Sequence, residues 1–218
     1  MKRRITSILL MLTMAVSVAL SGCSGDKKEP ESTTENELPK SKNPVEGGSI
    51  KVGISQDLDS LDPHRAVSAG TKEVLFNIYE GLVKPDSDGN LIEALAESYE
   101  ISEDAKVYTF TLREGVKFHN GNTVTAEDVK YSIDKCADTS NGDPLVSAYS
   151  IVESVEIPDE KTVEIHLSEA NTEFLAYMTT AIVPKDYEQL ETDPIGTGPI
   201  KYESRNHQEK VIIVIKED

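Results

Sequence analysis

Asp86, Asp88, Asn90 and Glu97 stand at positions 1, 3, 5 and 12 of a calcium-loop template. That template needs glycine at position 6, where this chain has Leu91; Gly89 comes two places too early. A connecting turn through Pro85–Asn90 is the better reading. The four histidines, His64, His119, His166 and His207, have no metal-ligand partner at helical or turn spacing. No metal or cofactor is expected from local spacing, although residues distant in sequence could still hold an ion. His64 follows Asp-Pro and reads as part of a structural turn, and His166 falls on the polar phase of a strand, facing solvent. No Gly-x-Ser-x-Gly elbow, Walker loop or His-Glu-x-x-His is present. Gly196-Thr197-Gly198 is followed by Pro199, which lacks a backbone donor, so the segment reads as a tight loop and not a phosphate cradle. Paired carboxylates are too common among 39 acidic residues to mark catalysis. The residues point away from an enzyme.

The surroundings of these groups are uneven. The 218 residues carry a formal charge of −17, which excludes a nucleic-acid binder, because phosphate neutralisation needs clustered Lys and Arg. Residues 1–22 open with Lys2, Arg3 and Arg4 and continue in an uncharged apolar run from Ile5 to Leu20. That run is shorter than the ~20 residues of a membrane span and reads as a signal peptide. It closes in Leu20-Ser21-Gly22-Cys23, which resembles the lipobox of bacterial lipoproteins, whose cysteine is lipidated. Acyl chains on Cys23 would hold the protein at a membrane. Processing there would remove three basic and no acidic residues and leave −20. Residues 23–48 are Gly, Ser, Thr, Pro, Glu and Lys with hardly any apolar residue, the composition of a disordered tether. Residues 49–218 form the globular part. Cys136 lies on an apolar stripe with Val129 and Ile133 and reads as a buried, inert thiol.

The elements that must position any site follow from periodicity. Ile50, Val52 and Ile54 alternate as in a half-buried strand, and residues 70–82 carry a helical stripe of Val74, Leu75, Ile78, Tyr79 and Leu82. Leu91–Tyr99 reads as a short helix or an irregular apolar segment. Tyr108, Phe110 and Leu112 mark a strand; Thr125 caps a helix with Glu127 and Asp128 in its first turn. Val155–Ile157 and Val163–Leu167 form a β-hairpin about Pro158–Lys161. Thr172–Met178 reads as a helix, and Val211–Ile215 as a strand buried on both faces. The mixture is α/β or α+β.

Seven segments, in order, resemble family 5 of the bacterial extracellular solute-binding proteins, the peptide- and nickel-type receptors of ABC importers. They are Gln56–His64, ending in Ser60-Leu61-Asp62-Pro63-His64; Tyr79-Glu80-Gly81-Leu82-Val83; Leu95-Ala96-Glu97-Ser98-Tyr99; Tyr108–Gly121; Thr125–Ser132; Ile182-Val183-Pro184-Lys185; and Gly196-Thr197-Gly198-Pro199. The family usually has tryptophan where Tyr99 stands.

The resemblance implies an α/β, periplasmic-binding-protein-like (type II) two-lobed fold that closes on its ligand. Relatives are commonly more than twice as long. The chain is therefore expected to hold only the first lobe, incompletely, with an inserted subdomain over roughly 83–175, as a truncated frame or N-terminal fragment. Much of the pocket, including the acidic group that takes a peptide's amine, would come from the other lobe. The implied ligand contacts are Ala66, Val67, Ser68, Ala69 and Gly70 through main-chain groups, with Tyr149 and Gly196, Thr197 and Gly198 near the cleft wall. The implied role is capture of an oligopeptide or other small solute for a permease and its ATPase. The expected protein is a monomer, lipid-anchored through Cys23 on the extracytoplasmic face of the cell membrane, in the periplasm or at the cell surface. Alternatives are a nickel-chelate or oligosaccharide receptor, and a non-transporting surface or sensing lipoprotein or inert fragment.

Overall fold

The computed structural model describes residues 49–216. Chain contacts separate Met1–Ile50 from a compact unit, Lys51–Asp218. The signal peptide, Cys23 and the tether fall outside the described residues.

The unit is built around a four-stranded antiparallel sheet in the order β3-β4-β6-β5. Its strands are β3 (Ala96–Ile101), β4 (Val107–Leu112), β5 (Val152–Asp159) and β6 (Thr162–Leu167). On β4 and β6 every second residue is buried: Tyr108, Phe110 and Leu112 on one, Val163, Ile165 and Leu167 on the other. The intervening residues, Thr109, Glu164 and His166 among them, form the other face. Helix α2 (Ala126–Ala137) covers the apolar face with Val129, Ile133 and Cys136. Burial pushes the Cys136 thiol up to about 12, which makes it inert.

Two sequence segments meet at this helix. Thr125 and Asp128 form a capping box, with Thr125 N–H on the Asp128 carboxylate at 2.8 Å. The same carboxylate accepts from Lys185 N–H at 2.7 Å, and Val183 N–H donates to Ser132 Oγ at 2.9 Å. The helix start and the Ile182–Lys185 segment are thus one hydrogen-bonded unit.

Smaller elements complete the chain. Helix α1 (Ala69–Leu75) precedes the short pair β1 (Val83–Pro85) and β2 (Leu91–Glu93). Short 3₁₀ helices span Ser147–Ile151 and Phe174–Thr179. The β7 (Ile200–Asn206) and β8 (Lys210–Ile215) strands form a separate antiparallel ribbon. A second apolar cluster gathers Leu58, Leu61, Leu75, Ile78, Tyr79 and Val183, and Tyr202, Val211 and Ile213 of the ribbon pack against it.

Four expectations are corrected. Ile50, Val52 and Ile54 form no strand; they are 84%, 76% and 42% exposed and have no ladder partner among the described residues. The helix expected over 70–82 stops at Leu75, because Ile78, Tyr79 and Leu82 turn into the two cores from an irregular segment. Leu91–Tyr99 lies in β2 and β3, neither helical nor irregular throughout. Val211–Ile215 is a strand, but only part-buried: Val211 and Ile213 pack on the second cluster, and Ile215 is 75% exposed.

Candidate functional site

The loop before α1 is held by carboxylates placed at short intervals. Asp59 accepts from Val67 N–H at 2.7 Å, Ser68 N–H at 3.1 Å and the Ser68 hydroxyl at 2.8 Å. The Thr71 hydroxyl and the Val67 amide hold its carboxyl well below the usual carboxylate range. Ser68 is the N-cap of α1. Glu191 reaches in from 130 residues away to take Leu61 N–H at 3.1 Å and the Ser60 hydroxyl at 2.6 Å. Buried Asp62 accepts from His64 N–H at 3.0 Å and pairs with Lys135 at 3.1 Å.

His64 is buried, with Nε2–H donating to Ala181 C=O at 2.8 Å. Its Nδ1 has no hydrogen-bond partner among the described residues and stands 4.0 Å from Asp62. Burial depresses the His64 pKa, against the raising effect of the Ala181 carbonyl.

The glycine loop is tied down by a second histidine. His119 Nε2–H donates to Gly198 C=O at 2.9 Å, and Nδ1 accepts from Gly196 N–H at 3.4 Å, so the ring is neutral. Burial lowers its pKa, the Gly198 carbonyl opposing. Gly198 N–H reaches Ile78 C=O at 2.9 Å. A Cβ at either glycine would overlap the Asn77–Ile78 backbone, which is why only glycine fits there. Thr197 is buried, with its hydroxyl 3.3 Å from Glu80.

These contacts sort the expected ligand residues. Val67 is 77% exposed, Ala69 is exposed, and Ser68 and Gly70 are half-buried. Ala66 is buried, and its N–H is bonded to Asp62 C=O at 3.1 Å. The amides of Ala66, Val67 and Ser68 are therefore already bonded within the chain. The first-turn amides of Ala69 and Gly70, the loop carbonyls and the Val67 side chain are what the loop can offer.

Gly196, Thr197 and Gly198 are buried against the chain's own backbone. Tyr79 links the two loops: its hydroxyl donates to Leu61 C=O at 3.3 Å, and its ring lies against Gly196. Tyr149 is not brought to this place. It is 1% exposed in the sheet core, stacked at 5.7 Å on Phe174, with its hydroxyl on Tyr177 C=O at 2.9 Å. Sequence reading did not single out Asp59, Glu191 or Lys135; only the Asp-rich spacing before Pro63 hinted at the first. The cleft beside the loop, lined by Asp62, Arg65, Lys135, Tyr187 and Glu191, measures ≈ 230 Å³. That is below the ~300–1,000 Å³ of a small-molecule site, so this surface forms one side of a pocket at most.

Both histidines make stability depend on pH. Each has a folded pKa below its unfolded value of 6.5. As pH falls through 6.5 the unfolded chain takes up protons first, so stability falls until the folded pKa is passed. The unfolding midpoint should be lower at pH 5.5 than at 7.5, and less so in His64→Gln. Equal midpoints for the unsubstituted protein would refute this account.

Comparison with known proteins places the chain in a family. The family model for "Bacterial extracellular solute-binding proteins, family 5 Middle" covers residues 90–218. The glutathione-binding protein GsiB of Salmonella typhi is 32% identical over 170 residues, covering 74% of this chain and 33% of its own. The periplasmic binding protein AgaA of A. tumefaciens R10, solved with agropinic acid, superposes with TM-score 0.69 at 32% identity. That match covers 74% of this chain and 34% of AgaA. The ABC transporter-associated protein DppA of Helicobacter pylori, solved with the peptide STSA, gives 0.67 at 30% identity, over 75% and 38% of the two chains. This chain spans about a third of the length of the curated relatives it matches. The neighbours share a type II periplasmic-binding-protein fold, of which the mixed α/β unit seen here is a part. The family model covers more than half of the chain, and the chain belongs to family 5 of the bacterial extracellular solute-binding proteins.

Proposed function

We propose that this chain contributes one side of a peptide-binding receptor serving an ABC importer. The observation that carries the reading is the likeness, at 30% identity or above, to a protein solved with a peptide and to one that binds glutathione, itself a tripeptide. The family is extracytoplasmic, and its members bind solutes without chemical conversion. Here the ligand-facing edge is Val67 with the amides of Ala69 and Gly70, and Gly196, Thr197 and Gly198, packed on Asn77–Tyr79, stand beside the cleft wall. Main-chain contacts of this kind accept varied peptides, because every peptide presents the same backbone groups. Lipid attachment at Cys23 would keep the receptor beside its permease.

Calorimetry with STSA, glutathione and a panel of di- to hexapeptides tests the assignment. Saturable binding of at least one peptide is expected, weakened by Val67→Asp. The measurement is made on the two-lobed receptor that contains this chain, and no peptide binding by that folded receptor would refute the assignment. Binding confined to agropinic acid would move the ligand class to amino-acid–sugar conjugates, a second reading favoured by the AgaA likeness.

A further inference from the structure

We propose that Glu156, Glu164 and His166 form a site for a divalent transition-metal ion, of the zinc or copper type, on the sheet face opposite α2. The three residues lie on neighbouring strands. Glu156 of β5 is directly opposite Glu164 of β6, and His166 is two residues further along β6 on the same face. One ligand atom from each falls within 4.8 Å of the others.

Three observations favour an ion over a chance grouping. Two carboxylates directly opposed across an antiparallel pair repel each other, so the arrangement needs a positive charge to offset it. The His166 Nε2 atom is shielded from solvent and has no hydrogen-bond partner among the described residues. It stands 3.5 Å from the Glu164 carboxylate and 4.0 Å from that of Glu156. The shorter separation is that of two ligands sharing one ion: bonds of about 2.0–2.2 Å at tetrahedral angles place ligand atoms about 3.3–3.5 Å apart. Small side-chain rotations would bring Glu156 to the same spacing. The strands fix the three Cα positions, and three protein ligands leave a fourth position for water.

The donor set selects the class of ion. One imidazole nitrogen with two carboxylate oxygens suits copper(II) and zinc, and it disfavours magnesium and calcium, which take oxygen ligands only. Local spacing in the sequence missed the group because its ligands are paired across strands, not along a helix. This site is separate from the Val67–Gly70 loop, and it stands or falls independently of the peptide assignment.

The test is titration of the chelator-treated full chain with zinc, copper(II) and magnesium chlorides, followed by calorimetry and thermal unfolding. One zinc should bind per chain and raise the unfolding midpoint, copper should bind more tightly, and magnesium should do neither. Glu164→Gln and His166→Gln should each weaken zinc binding by about tenfold or more. Without metal, Glu164→Gln should be no less stable than the unsubstituted protein, because it relieves the carboxylate repulsion. That combination separates loss of a ligand from loss of fold. Zinc affinity unchanged in both variants would overturn the proposal, as would a zinc-insensitive midpoint in the unsubstituted protein.

Discussion

Phe174→Ala should destabilise the protein by about 3–5 kcal/mol, the largest effect expected from any single truncation here. The ring is fully buried and sits at the meeting point of three tyrosines. Its centroid lies 5.3 Å from that of Tyr108, 5.7 Å from Tyr149 and 6.2 Å from Tyr177. The offset, tilted geometry adds edge-to-face attraction to the apolar area buried. Deletion leaves a void that cannot collapse easily, because two of its neighbours are tied by their hydroxyls: Tyr108 donates to Asn171 C=O and Tyr149 to Tyr177 C=O. Phe174→Leu should recover much of the loss, since it refills most of the volume. Urea unfolding of the three proteins measures this directly. A loss below about 1 kcal/mol for the alanine variant would mean that the cluster repacks, and would refute the rigid account.

Asp62→Ala is the second large effect, again about 3–5 kcal/mol, by a different route. Asp62 is buried and anchors the loop through His64 N–H, while its other oxygen pairs with Lys135 on α2. Removing the carboxylate leaves the half-buried Lys135 ammonium without its partner, and the His64 amide without its acceptor. Replacing Lys135 by methionine in the Asp62→Ala background should restore about 1–3 kcal/mol, because the stranded charge goes with it. Additive losses would show that the pair is not coupled. Since Asp62 also sets the turn that leads to Val67, peptide affinity should fall alongside stability in the single variant.

The sheet and its helix were legible because their signals are local. The alternation of Tyr108, Phe110 and Leu112 and of Val163, Ile165 and Leu167 matches the buried face of β4 and β6, and Thr125 caps α2 as its type suggests. Where alternation failed as a guide, the reason was pairing. Ile50, Val52 and Ile54 have a strand pattern, but a pattern supplies no ladder partner; none is found among the described residues, and the three side chains are exposed. Leu91–Tyr99 divides between two sheets at Ala94-Leu95, a break that apolar composition conceals. The candidate site was legible as a loop and illegible as a mechanism. That Asp59 would consume the amides of Val67 and Ser68, or that Glu191 would close on Ser60, depends on contacts across the fold that spacing does not encode.

The pinned loop also bears on timing. Asp59 and the Ser68 cap set one shape for residues 66–70 before any solute arrives. Nothing there has to be ordered on encounter, so capture need not wait for this edge to rearrange. Discrimination between solutes then falls on how long each one stays. Under the proposed function, an edge built this way would screen its ligands by residence time and leave the rate of arrival nearly the same for all of them.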